Sequence, residues 1–71
     1  MIASIKRSGD ELKIYINNIL HLLITDRITS IQSWNEEDKW YKIEIQTKHN
    51  SVLLEYDSFE KWKKILELLN G

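Results

Sequence analysis

The sequence has no cysteine, no proline and only two glycines. Without cysteine the chain forms no disulfide and offers no thiolate ligand to a metal, which is typical of a reducing, cytoplasmic compartment. His21 and His49 are the only histidines, and no motif links either of them to a nucleophile or to a second metal ligand. Two isolated glycines exclude a glycine-rich phosphate loop. We therefore expect no metal, no cofactor and no enzymatic activity.

Long apolar runs and a strong charge of one sign are also missing. The longest apolar run, Ile19 to Ile24, holds six residues and includes His21, whereas a membrane-spanning helix needs about 20. Ten basic and eleven acidic residues leave a net charge of −1, which disfavours nucleic acid as a partner. The 71 residues suit one soluble domain, residues 1–71. Because so small a core leaves little net stability, we expect a partner chain to add to it.

The C-terminal segment has the period of a helix. Apolar residues recur at three- and four-residue steps and define one face, which consists of Phe59, Trp62, Ile65, Leu66 and Leu69. Asp57 followed by Glu60 is a helix start signal, and Ser58 is the competing N-cap residue. We predict that the helix ends at Asn70 and Gly71.

Upstream of the helix, the alternation of apolar and polar residues predicts two strands, 40–47 and 52–56. A tight turn at His49-Asn50 joins them, because asparagine tolerates the left-handed backbone of such turns. With Lys48 opposite Ser51, the inner face receives three pairs: Thr47 with Val52, Ile45 with Leu54, and Ile43 with Tyr56. The outer face then receives Glu44 opposite Glu55, a pair that could serve acid–base chemistry but is more simply two solvated carboxylates.

A second hairpin agrees with the first on which face is inside. Placing Trp34 opposite Trp40 leaves a five-residue loop, Asn35 to Lys39. In that register Ile31 faces Ile43 on the inner side, and both tryptophans lie on the outer side. Since a slip of one residue would invert the faces, the agreement supports an antiparallel meander.

The N-terminal third has turn signals at Ser8-Gly9 and at Asn17-Asn18, which separate strands over residues 3–7 and 11–16. Residues 19–24 are a third strand or a short buried helix, and their length favours the strand. Pairing this strand with residues 28–34 turns Ile19, His21 and Leu23 inward and turns Leu20, Leu22 and Ile24 outward. The predicted fold class is therefore α+β: an antiparallel meander of five or six strands, as a strongly twisted sheet or roll, with one C-terminal helix.

Three segments carry a family resemblance: Ile28–Ile31, Tyr41–Ile45 and Tyr56–Trp62. A strand that leads through an acidic or serine cap into a helix with a buried tryptophan resembles the ending of pleckstrin-homology-like domains. The chain also looks like short, uncharacterised sheet-plus-helix proteins of bacteria and their phages. The lipid-headgroup site of pleckstrin-homology domains depends on a basic loop near the N-terminus. Here the basic residues that flank the first turn, Lys6, Arg7 and Lys13, have Asp10 and Glu11 beside them. The resemblance therefore implies no lipid-headgroup site in this chain.

The predicted outer face carries an apolar set that the helix does not cover: Leu20, Leu22, Ile24, Ile28, Trp34 and Trp40. An exposed apolar patch marks an interface, and tryptophan is enriched in binding hot spots. The sequence thus predicts a non-enzymatic protein-binding module that forms a homodimer, by stacking of faces or by pairing of edge strands. Two structural explanations remain open: the tryptophans stabilise their hairpin, and the sheet curls and buries the patch.

Two other functions compete with the homodimer. Tyr15, Trp34 and Trp40 would form the stacking platform of a nucleic-acid-binding module. The acidic loop Glu36-Glu37-Asp38 would suit a small phage or mobile-element protein that inhibits a host enzyme. A solvated hairpin loop explains the same acidic residues.

Overall fold

A computed structural model describes all 71 residues. It contains six strands and one helix, namely β1 (Ala3–Ser8), β2 (Glu11–Ile16), β3 (Ile19–Ile24), β4 (Ile28–Glu36), β5 (Trp40–Thr47), β6 (Ser51–Tyr56) and α1 (Phe59–Asn70). The predicted α+β class with antiparallel strands and a C-terminal helix is confirmed, and of the five or six strands predicted there are six. Residues 19–24 form a strand, so the alternative of a short helix is wrong.

The strands form two sheets, where the sequence predicted one continuous meander. β1, β2 and β3 make the first sheet, and β4, β5 and β6 make the second. The predicted pairing of β3 with β4 is therefore wrong. That pairing would have turned Leu22 and Ile24 towards solvent, whereas separate sheets bury them at 7% and 3% exposure. Burying two large aliphatic side chains contributes about 3–6 kcal/mol, which is of the same order as the hydrogen bonds that one more short strand pair would add and so offsets their loss.

Both hairpins of the second sheet shift by two residues and keep the predicted faces, except at the start of β4. There a bulge between Ile28 and Ser30 turns Ile28 towards the core, so its prediction as an outer-face residue is wrong. Glu36 lies opposite Trp40, so Trp34 lies opposite Lys42 and not opposite Trp40. Gln46 lies opposite Ser51, and consequently Ile45 pairs with Val52. Since side chains alternate with a period of two, a shift of two residues changes the partners but not the faces.

The helix begins after Ser58, whose side chain accepts a hydrogen bond from the backbone N–H of Lys61 at 3.3 Å. Ser58 is thus the N-cap, and the competing assignment to Asp57 is wrong. The other end of the helix is capped from a distance. The Arg7 guanidinium on β1 donates to the carbonyl oxygens of Leu68 at 3.2 Å and Leu69 at 3.0 Å.

One core joins both sheets to the helix. It consists of nine buried residues: Leu12, Ile14, Leu22, Ile24, Ile43, Ile45, Tyr56, Ile65 and Leu69. Trp62 of the predicted helix face is half-buried and donates its indole N–H to the Lys42 carbonyl at 3.1 Å. Phe59, predicted on the same face, is 53% exposed because it occupies the first position of the helix, at the rim of the core.

Candidate protein interface

The strand β3 leaves one backbone edge unpaired. It borders only β2, and no other strand or helix lies along its free side. Its sequence, ILHLLI, contains no lysine, arginine, aspartate or glutamate. Such an edge is a template for pairing with another chain, which proteins usually prevent with charges, a bulge or a covering element.

The other three edge strands carry protection that β3 lacks. The helix α1 packs beside β1 and β6. In addition, β1 carries Lys6 and Arg7, β6 carries Glu55, and β4 ends in Glu36. Only β3 combines an apolar sequence with a free, uncharged edge, although it contains a bulge.

The bulge sits at His21 and decides which β3 residues face solvent. Tyr15 of β2 pairs with Leu20, and the next residue, Ile14, pairs with Leu22, so His21 has no partner across the ladder. Because of this extra residue, the alternation of faces restarts at Leu22. Leu22 and Ile24 consequently enter the core, while Leu20 and Leu23 share the outer face of the first sheet.

The exposed residues of β3 are Ile19 at 71%, Leu20 at 47% and Leu23 at 47% exposure. Together with the free backbone edge we call them the β3 surface. Tyr15 and Lys13 lie beside Leu20 and Leu23 in the neighbouring strand. Leu20 and Leu23 therefore form an apolar strip on the outer face, open at the sheet edge, with Lys13 on the side away from that edge. Ile19 lies opposite Ile16, on the other face, at the end of the strand.

His21 connects the back of this surface to the second sheet. Its Nε2 lies 2.6 Å from the hydroxyl oxygen of Tyr56 on β6. Desolvation, followed by the positive charge of Lys61, lowers the pKa of His21 below its ordinary value. Burial raises the pKa of Tyr56 to about 12. The proton therefore stays on the phenol, and Nε2 of the neutral imidazole accepts a hydrogen bond from the Tyr56 O–H.

The structure places the six predicted interface residues in three different environments. Leu22 and Ile24 are core residues, so their prediction as exposed interface residues is wrong. Ile28 is half-buried against the same core. Leu20 is exposed as predicted. The structure does not gather these residues into one patch, because Trp34 and Trp40 belong to the second sheet.

On the outer face of the second sheet, Trp34 donates its indole N–H to Glu36 at 3.0 Å, and Lys42 Nζ lies 3.1 Å from the other oxygen of that carboxylate. These hydrogen bonds, from Trp34 and then Lys42, hold the pKa of Glu36 below its ordinary value. Trp40 is 40% exposed nearby. Tyr15 lies on the other sheet, so the predicted three-residue stacking platform is not assembled.

The predicted carboxylate pair does not form. Glu44 lies opposite Leu53, and Glu55 lies opposite Lys42 with 4.0 Å between Nζ and Oε1. The two-residue shift of the hairpin is the cause, because it moves each partner one step along the same face.

His49 forms the other polar contact of note. Its backbone N–H and ring Nδ1 lie 2.8 Å and 2.9 Å from Asp26 Oδ2, which ties the β5–β6 turn to the β3–β4 connection. Desolvation acts to raise the pKa of Asp26, but hydrogen bonds from His49 and Arg27 outweigh it and leave this pKa below its ordinary value.

No group of three histidine or carboxylate side chains is arranged to hold a metal ion. The helix α1, with 12 residues, is too short to span a membrane.

Ile19 and Leu23 were missed because they were predicted to face inward. Every residue of β3 except His21 is aliphatic, so the sequence contains no alternation that shows which residues are outside. His21, the one polar residue of the strand, lies at the bulge, but the sequence pattern alone does not show that a bulge forms there.

Comparison with known proteins yields no relative: no family model, no curated protein and no solved structure matches the chain.

Proposed function

We propose that this chain is a non-enzymatic protein-binding module that pairs with a second copy of itself through the β3 surface. The observation that carries the proposal is the free edge of β3, where Ile19, Leu20 and Leu23 are exposed without any charged residue in the strand. Two β3 strands would run antiparallel around a twofold axis and join the two first sheets into one six-stranded sheet.

The β3 surface is complementary to itself in this arrangement. When the axis passes between His21 and Leu22, Leu20 of each copy lies opposite Leu23 of its partner, on the outer face. Lys13 lies one strand away from the axis, behind Leu23. The pairing therefore brings apolar side chains together and sets no like charges against each other, which is the electrostatic condition for an isologous contact.

The energetic balance permits a weak dimer. The exposed fractions of Ile19, Leu20 and Leu23 add up to rather more than one and a half fully exposed side chains per copy. At about 1.5–3 kcal/mol for each fully buried side chain, two copies would gain roughly 5–10 kcal/mol. Association costs about 4–15 kcal/mol in lost freedom, and each new backbone hydrogen bond contributes about 0.5–1.5 kcal/mol. We expect dissociation constants in the micromolar range or above.

The small core gives the partner a structural role. Only nine of 71 residues are buried, and a domain of this size has little stability in reserve. A contact that forms only between folded copies stabilises the fold by mass action. We therefore expect the melting temperature to rise with protein concentration.

The test compares two leucines of nearly equal exposure, Leu23 at 47% and Leu53 at 49%, in sedimentation equilibrium. Leu23→Glu places a charge in the β3 surface, whereas Leu53→Glu places one on the outer face of the second sheet, where Leu53 is 49% exposed. We expect a dimer for the wild type and for Leu53→Glu, and a monomer for Leu23→Glu.

Circular dichroism must show that both variants are folded. A wild type that stays monomeric at high micromolar concentration would refute self-pairing. A dimer that Leu53→Glu disrupts and Leu23→Glu leaves intact would refute the β3 surface and place the contact on the second sheet.

A further inference from the structure

We infer that β3 can adopt two registers against β2, one with the bulge at His21 and one without it. Leu20 is exposed in the bulged register and buried in the other, and protonation of His21 favours the register in which Leu20 is buried. This switch between registers is a property of the folded monomer. Its effect on association rests on the function proposed above.

The two registers differ by one residue in the first half of β3. In the structure, Tyr15 pairs with Leu20 and His21 is the unpaired extra residue. If the ladder continued without a bulge from the pair of Ile14 and Leu22, Tyr15 would face His21 and Ile16 would face Leu20. Because Tyr15 lies on the outer face, the unbulged register exposes His21 and turns Leu20 inward.

The bulged register is held from the second sheet. The contact of His21 Nε2 with the Tyr56 hydroxyl at 2.6 Å is the one side-chain hydrogen bond that β3 makes. Tyr56 is only 5% exposed, so its hydroxyl would lose this partner if His21 turned outward. A buried polar group without a partner is unfavourable, and this keeps the imidazole inside while it is neutral.

Burial and the charge of Lys61 oppose a positive charge on the His21 ring. Tyr56 faces it from β6, and Lys61 of α1 lies above the Tyr56 ring with Nζ 5.4 Å from the centroid. On β2 the neighbouring residues are Ile14, which is apolar, and Tyr15, which lies on the outer face. No carboxylate forms an ion pair with His21.

The sign of the pH dependence follows from these surroundings. Desolvation and Lys61 lower the pKa of the inward-facing His21 below its ordinary value of 6.5, whereas an outward-facing imidazole is solvated. The unbulged register therefore binds more protons. The preference for the bulged register is complete above the ordinary pKa and falls as pH drops towards the lowered pKa, by up to about tenfold per pH unit.

The experiment measures register and association separately. Nuclear Overhauser contacts at a concentration where the monomer predominates report whether Tyr15 faces Leu20 or His21, from about pH 8 to about pH 5. Sedimentation equilibrium over the same range reports association. We expect the Tyr15–Leu20 contact to give way to a Tyr15–His21 contact on acidification, and association to weaken in parallel.

Two variants and a control make the result specific. His21→Leu removes the titrating group at the bulge, so the register should be the same at both pH values and association should lose this acid sensitivity. Tyr56→Phe removes the hydroxyl that holds the neutral imidazole, so the register should change at higher pH than in the wild type. His49→Gln changes the other histidine and should leave the register change as it is.

The two proposals fail in different ways. A wild type that keeps the Tyr15–Leu20 contact at about pH 5 would overturn the switch, even if the protein dimerises. A register change in a protein that is monomeric at every pH would confirm the switch and refute self-pairing. An unchanged acid response in His21→Leu would assign that response to another group and overturn the role of His21.

Discussion

Replacing Arg7 should destabilise the C-terminal end of the helix α1. The last four carbonyl groups of a helix lack intrahelical donors, and here two donors serve three of them. Gly71 N–H donates to Glu67 O at 2.9 Å, and Arg7 donates to the next two carbonyls. Because the last turn of α1 contains no basic residue, Arg7 is the cation at this end of the helix dipole.

The expected cost follows from two contributions. A cation near a helix C-terminus stabilises it by about 0.3–1 kcal/mol. Hydrogen bonds from a charged donor contribute about 1.5–3 kcal/mol where they are buried, and much less here because Arg7 is largely exposed. We expect Arg7→Met, which keeps an unbranched side chain, to lower the free energy of unfolding by about 1–2 kcal/mol. For a domain of this size that is a fall of at least about 4 °C in melting temperature.

The assay is urea unfolding of Arg7→Met, Arg7→Lys and Lys6→Met, with hydrogen exchange at the end of α1. Arg7→Lys keeps the charge but not the planar fork, so its cost should be intermediate. Lys6 is the matched control because its Nζ lies over the Tyr15 ring, 5.5 Å from the centroid, and away from the helix. Equal losses in Arg7→Met and Lys6→Met, with unchanged exchange at Leu68 and Leu69, would refute the capping role.

Three further predictions concern the core and the loops. Ile43→Ala should cost about 2–5 kcal/mol in urea unfolding, because Ile43 is completely buried; a cost near zero would contradict the core assignment. Leu22→Glu should unfold the monomer, seen as loss of the circular dichroism signal, because it buries an unpaired charge at a position 7% exposed. Asp26 has a lowered pKa, so the stability from its contact with His49 is complete above its ordinary pKa and is lost as pH falls through the lowered one. Thermal unfolding of Asp26→Asn should therefore lack this acid-dependent step, and an unaltered step would assign it to another carboxylate.

The sequence predicted the helix and the faces of the second sheet because both depend on periodicity alone. Ile43 and Ile45 lie inside in any register that differs by an even number of residues, so the shift of both hairpins left them in the core. The turns were less predictable. Glu37 and Asp38 adopt the left-handed conformation, with φ values of 55° and 52°. A glycine at these positions would have predicted that conformation, whereas glutamate and aspartate do not. The loop is therefore shorter than predicted.

The candidate interface could be predicted only in part, for a different physical reason. Leu20, Leu22, Leu23 and Ile24 have almost the same hydropathy, so the sequence pattern does not separate inward from outward residues in β3. The outcome depends on the contact of His21 with Tyr56, a residue 35 positions away in the chain. Packing between two sheets thus decides the faces of β3, and local pattern does not contain that information.

The division into two sheets also has a consequence for how the chain folds. Every strand pair joins strands that are consecutive in the chain, so each sheet closes only short loops and the contact order of the strand ladders is low. Such hairpins form within about 1–10 μs. The contact of His21 with Tyr56 can form only after both sheets exist, and the contact of Arg7 with the helix end needs both β1 and α1. We expect docking of the sheets to limit the rate, and stopped-flow refolding of Tyr56→Phe should then be slower than that of wild type, whereas an unchanged refolding rate would place the barrier within a sheet.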